Sequence, residues 1–159
     1  MSKPAVTVKK SGIGTAEFAR RVRELKRQEV YVGIQAKDTA RKKGKINNAS
    51  LLFVHENSER PWLPQRKILV PGIEANKQII APMLMTAAKA VLANKPDEAT
   101  RDLNLAGTAG ANSVKRFVED KVNLKPNAPS TIRRKKSDTP LVDTGDLIRS
   151  VTYVVKRKA

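Results

Sequence analysis

His55 is the one histidine of the 159 residues, and cysteine is absent. Those two facts bound the chemistry. A serine nucleophile needs a base, and only His55 qualifies; no Gly-x-Ser-x-Gly elbow precedes a helix. A zinc site needs three or four ligands, and His55 with the adjacent Glu56 supplies two. Gly12-Ile13-Gly14 is a fragment of a dinucleotide loop without its third glycine; Glu17 stands in that place, and no strand precedes it. Asp143 and Asp146 are paired carboxylates, but at capping distance beside Thr144 and Gly145, where they would satisfy the free amides of a short helical turn. No phosphate loop occurs, and the missing cysteines exclude disulfides and thiolate sites. His55 then reads as a locally hydrogen-bonded side chain. These residues argue against an enzyme, and no catalytic group, cofactor or metal is expected.

Positive charge is what the chain has in excess. Lysine and arginine number 32 against 15 acidic residues, a formal net charge of +17. The charge sits at the ends: residues 1–47 carry +9 and residues 125–159 carry +6, with a near-neutral stretch between. One dense cluster is Arg41, Lys42, Lys43 and Lys45 around Gly44; the other is Arg133, Arg134, Lys135 and Lys136. Both lack apolar periodicity and read as mobile loops. Such clusters meet phosphates or an acidic protein face, or else serve as solvated loops. Neither is interleaved with aromatics, so no base-stacking platform is expected. Trp62, between Pro61 and Pro64, is either the lid of a small local core or an anchor pressed into a neighbour.

The elements that would position these residues follow from periodicity. Residues 1–13 read as a flexible basic arm, and residues 14–159 as a single domain. Thr15 to Gln28 reads as a helix with Phe18, Val22 and Leu25 on its inner face and Glu17 in its first turn. Val30-Tyr31-Val32-Gly33-Ile34 reads as a strand, and Ala49 to His55 as a helical turn or two. Prolines 61, 64 and 71 predict an extended, irregular segment over 60–72. The longest helix is predicted over 73–93, with Ile73, Ile80, Leu84, Ala87 and Val91 on one face and Pro82 either kinking it or marking its start. A second helix is predicted over 101–122, with Ala106, Gly110, Val114, Phe117 and Val118 inward. A Pro-rich basic loop over 123–140 follows, and Val151 to Val155 closes the chain as a strand. No apolar run approaches the ~18 residues of a membrane span. Met1-Ser2-Lys3-Pro4 lacks the apolar stretch of a signal peptide, so a soluble protein made inside the cell is expected.

Two stretches carry a resemblance. Pro140-Leu141-Val142-Asp143-Thr144-Gly145-Asp146-Leu147, followed by Ser150-Val151, is similar to the C-terminal signature of small tail-completion (neck or minor tail) proteins of long-tailed bacteriophages. That signature reads roughly Pro-Leu-x-Asp-Thr-Gly-x-Leu-x-x-Ser-Ile; Val151 replaces its last isoleucine. His55-Glu56 with Pro64-Gln65-Arg66-Lys67-Ile68-Leu69-Val70-Pro71 resembles the family's His-Glu-x-Gly and Pro-x-Arg-Pro-Phe-Leu-x-Pro elements. Pro64, Arg66, Leu69 and Pro71 match; Lys67 and Ile68 stand for proline and phenylalanine. Ser58 stands where the family often has glycine, a position at which a positive φ would cost serine and not glycine. Beside the resemblance, the residues themselves read simply. Thr144 caps a turn opened by Gly145, Leu147 points inward, and Arg66 either pairs a carboxylate or lies on the surface.

The fold class expected is α+β: a small, mostly antiparallel sheet with strands near 29–35 and 150–156, and one possible near 66–70. Two to three helices pack on one face, joined by extended loops. The resemblance implies a structural virion protein that completes the tail and joins it to the head. It implies a ring, commonly of six subunits, around the DNA channel. Its partners would be copies of itself, the adjoining tail-tube or terminator ring and the head connector, with nonspecific contact to packaged DNA and no membrane. Its place would be the tail or neck of the virion, and the host cytoplasm during assembly. Trp62, Pro64, Arg66 and Leu69 are the interface candidates, and the two basic clusters the candidates for DNA or partner contact. Asp143, Thr144, Gly145, Leu147 and Ser150 form the structural motif. The competing reading, from the same +17, is a free protein that binds nucleic acid without sequence preference.

Overall fold

The computed structural model describes residues 12–35, 46–135 and 137–158. The chain is α+β, a two-stranded antiparallel sheet with helices packed against it. Helix α1 (Thr15–Arg27) runs directly into strand β1 (Gln28–Gly33). Helices α2 (Asn48–Glu56), α3 (Leu69–Glu74), α4 (Lys77–Leu92) and α5 (Pro96–Glu119) follow. The chain then passes a single 3₁₀ turn, two short helices, α6 (Pro129–Lys135) and α7 (Asp146–Arg149), and strand β2 (Thr152–Arg157). Strands β1 and β2 pair from Gln28 opposite Arg157 to Gly33 opposite Thr152. The first basic cluster, Arg41, Lys42, Lys43 and Lys45, and the expected basic arm up to Ser11 lie outside the described residues, as does Lys136.

Helix α5 is the spine. It touches α3, α4, α7 and both strands. Pro96 sits in its first turn, where no amide donor is needed, and Asp97 and Glu98 complement the positive end of the helix dipole. The helix therefore starts five residues before the expected Arg101. One face carries Ala99, Leu103, Ala106, Gly107, Gly110, Ala111, Val114 and Val118, all buried. Small residues on that face let neighbouring backbone come close. A Cβ on Gly72 of α3 would lie 2.8 Å from the Cα of Val114, so only glycine allows that approach. Ile68, Val114, Val118 and Val151 are fully buried at the centre, with Leu52, Leu124, Leu141, Leu147 and Ile148 around them. Each such side chain stabilises the fold by about 1.5–3 kcal/mol. A smaller cluster joins Ala90, Val91 and Ala99, with Leu25 of α1 packed on it.

Several expectations are corrected. The helix over 73–93 is two helices. Its break falls at Asn76, whose backbone (φ −128°, ψ 26°) leaves the helical region while its side-chain amide donates to Ser113 Oγ at 2.8 Å. Pro82 neither starts nor ends α4; it lies inside, exposed, and the helix continues through it. Leu84 is 40% exposed rather than inward, and so is Phe18, at 49%. No residue of α1 is fully buried, because only its Leu25 end reaches the smaller cluster. No strand forms near 66–70: the extended segment ends at Ile68, and α3 begins at Leu69. Pro71 is tolerated there because a first-turn residue needs no amide partner. The expected loop over 123–140 contains α6, so Arg133, Arg134 and Lys135 stand on a helix rather than a mobile loop.

Candidate functional site

The segment after α2 is folded back along that helix. Arg66 N–H donates to the carbonyl of His55 at 2.9 Å, and the Gln65 side chain donates to the carbonyl of Glu56 at 2.8 Å. One carboxylate oxygen of Glu56 accepts from the amides of Ile68 (2.7 Å) and Leu69 (2.9 Å). Glu56 thus caps α3 from twelve residues away, at the end where the helix dipole favours an anion. Ser58 turns the loop with its hydroxyl, which donates to the carbonyl of Leu63 at 2.7 Å and accepts from the amide of Arg60. Its φ is not positive, so serine meets the turn without the strain that a left-handed backbone would impose.

Arg66 is neither on the surface nor paired with a carboxylate. It is only 7% exposed. Its guanidinium donates to the carbonyls of Lys125 (3.1 Å) and Pro126 (3.2 Å) and to Asn127 Oδ1 (3.3 Å). Asn127 in turn donates to the carbonyls of Asp138 and Thr139, each at 3.2 Å. Arg66 and Asn127 therefore bolt the extended segment to both ends of the α6 region. The sequence offers no sign of Asn127's part, since its partners are backbone oxygens distant along the chain.

The motif around Gly145 faces this assembly. Gly145 has φ 79°, a left-handed value that suits glycine at the start of a helix. Leu147 is buried, as its spacing predicted. Thr144 caps as expected: its hydroxyl accepts from the amide of Asp146, the first residue of α7, at 3.4 Å. The same hydroxyl donates to the Asp146 carboxylate at 2.7 Å, which also takes Arg149 at 2.5 Å. Ser150 accepts from the Asn48 side chain at 2.7 Å and donates to the carbonyl of Asp146, tying α2 to α7. Just before the motif, Leu141 adopts φ 61°, a backbone state that costs a non-glycine residue about 1–3 kcal/mol and clusters at functional sites.

Between these parts lies a cleft of about 720 Å³. Its lining includes Leu51 and His55 of α2, Trp62, Pro64 and Arg66, Asn127, Arg134 and Lys135 of α6, and Leu141, Asp143, Gly145 and Leu147. Two motif-bearing stretches far apart in the sequence thus meet at one concavity. Trp62 stands at its mouth, 77% exposed, with the Arg60 guanidinium 5.8 Å over its ring. Trp62 is therefore no lid of a local core. Leu69 and Ser150 lie outside the cleft, and Arg133 is exposed on α6 away from it.

The electrostatics of the cleft are lopsided. Burial holds the Lys135 ammonium below its ordinary range; Asp143 opposes that effect, while Arg66 and Arg134 add to it. Burial also pushes the His55 imidazole down, and the charges of Arg66 and Lys135 push it further, so its neutral form is favoured. Nδ1 of His55 is buried without a hydrogen-bond partner. No cluster of three or more metal-ligating side chains occurs among the described residues. No described helix is long and apolar enough to cross a membrane. No family model, no curated protein and no solved structure matches the chain.

Proposed function

We propose that this chain is a structural subunit of a phage tail or neck, a ring-forming protein that completes the tail and joins it to the head, and that it catalyses no reaction. The observation that carries the reading is the meeting of its two family-like stretches at the basic cleft. A shared signature split across the chain is what a joining surface requires, because several elements must present one face. The charge supports it as well. A chain of +17 repeated around a ring repels itself, and an acidic neighbouring ring or the genome in the channel supplies the opposing charge.

The test is assembly. Arg41→Gln, Lys42→Gln, Lys43→Gln and Lys45→Gln together should leave circular dichroism unchanged while filled heads and finished tails accumulate unjoined. Normal infectious particles from that variant would overturn the reading. A second reading, a free nucleic-acid-binding protein, draws on the same charge and on the exposed Arg133 and Arg134 of α6. It predicts a monomer whose log affinity for duplex DNA falls against log salt with a slope of about −0.9 per phosphate contact. The ring reading predicts weak DNA binding by the isolated chain and a ring on sedimentation.

A further inference from the structure

The cleft differs from a general basic surface in three ways. It is concave, and its volume of about 720 Å³ falls in the range of sites that enclose a ligand group. Its base is apolar, since Leu141 and Leu147 are buried there and Leu51 lies beside them. Its mouth carries an exposed tryptophan with an arginine over its ring, the residue types that anchor protein interfaces.

We propose that this cleft seats an acidic peptide segment of a partner protein, one apolar side chain against Leu141 and Leu147 and its carboxylates on Arg134 and Lys135. The proposal deepens the joining function by giving the partner's chemistry, and rests on it. Charge selects the occupant. Of the two carboxylates in the lining, Asp146 is engaged by Thr144 and Arg149, and Asp143 shares the lining with the cations Arg66, Arg134 and Lys135. Burial is the main reason that the Lys135 ammonium is depressed, and Arg66 and Arg134 add to it; an incoming carboxylate would favour the charged ammonium again. Shape then separates peptide from nucleic acid. A duplex is a convex rod that meets phosphate-binding side chains at a rim, and an apolar base does nothing for a phosphate. The cleft is also preorganised, because Arg66 and Asn127 lock its walls before anything binds.

Trp62 is the sole tryptophan, so its emission reports on the mouth of the cleft alone. The full chain is titrated with a capped peptide, Asp-Glu-Leu-Phe-Glu-Asp. Parallel titrations use the same peptide with serine for Leu-Phe, one with lysine for every acid, and a short duplex DNA. The acidic peptide should shift the emission to the blue and saturate. The lysine peptide should leave it unmoved, and the serine peptide should bind about tenfold more weakly. Arg134→Ala with Lys135→Ala should also weaken the acidic peptide about tenfold, with circular dichroism unchanged. Arg134→Ala alone, at an exposed position, covers the case in which the double variant unfolds, and should weaken it to a lesser degree. An acidic peptide that gives no saturable shift, or binds the intact and the variant cleft equally, overturns the proposal. So does duplex DNA that moves the emission at the same concentration with the same dependence on Arg134. Any of these results strikes the cleft alone, since the joining function is judged separately by unjoined heads and tails.

Discussion

Arg66, although only 7% exposed, donates to three oxygens. A planar fork suits that arrangement and an ammonium does not. Arg66→Lys should therefore leave at least one of those oxygens unsatisfied and lower the unfolding free energy by about 1–3 kcal/mol, read from the urea midpoint. An unchanged midpoint would mean that the lysine reaches the same acceptors. This role was not legible in the sequence. An arginine between Gln65 and Lys67 reads equally well as a surface charge, because backbone carbonyls leave no mark on residue type. Leu147 was legible, since an apolar residue two places after a Gly turn has one side on which to be buried. Phe18 was misread for the opposite reason: its spacing matched Val22 and Leu25, but periodicity does not tell how far along a helix its neighbour reaches.

At the level of elements, α1 shows how a helix with little buried surface is held. Glu17 in its first turn bonds both Arg20 (2.9 Å) and Arg21 (2.8 Å), and Arg21 also donates to the carbonyl of Leu92 at 2.7 Å, across to α4. The hydrogen bonds from the two arginines lower the Glu17 carboxyl from an ordinary 4.5 to about 2. A carboxylate depressed in the folded state contributes its stabilisation above its unfolded pKa and loses it as pH falls through the folded value. The difference in thermal midpoint between the intact chain and Glu17→Gln should thus be full at neutral pH. It should shrink from about pH 4.5 and be mostly gone by pH 2, and added salt should reduce it, since the pair is exposed. A difference undiminished at pH 2 would contradict this. Helix α1 and both strands were readable to within a few residues from their apolar patterns. The split at Asn76 was not, because it depends on a hydroxyl that α5 brings alongside. Helix α6 was hidden by prolines at 126 and 129, although the second sits in its first turn, where proline is at home.

For the molecule as a whole, charge and shape pull against each other. Nine ion pairs join described residues, and most are exposed, each worth little in water. A net +17 repels over a longer range than those pairs attract. Raising ionic strength from about 10 mM to about 150 mM shortens the screening length from about 30 Å to about 8 Å, so the isolated chain should melt at a higher temperature in the saltier buffer. A lower melting temperature would show that the pairs outweigh the repulsion. The fold class was legible at this scale because helical and strand patterns are distributed along the chain. The cleft was not, since it exists only once α2, the extended segment, α6 and the Gly145 turn are side by side.

The pairing of β1 with β2 has a consequence for how the chain folds. Helices α2 to α7 all lie between the two strands in the chain, so their pairing closes a long loop and comes late. Until it does, β1 has an open edge, and the glycine-bearing side of α5 lacks the cover that Tyr153 gives it. A fragment without either strand can never zip that ribbon shut.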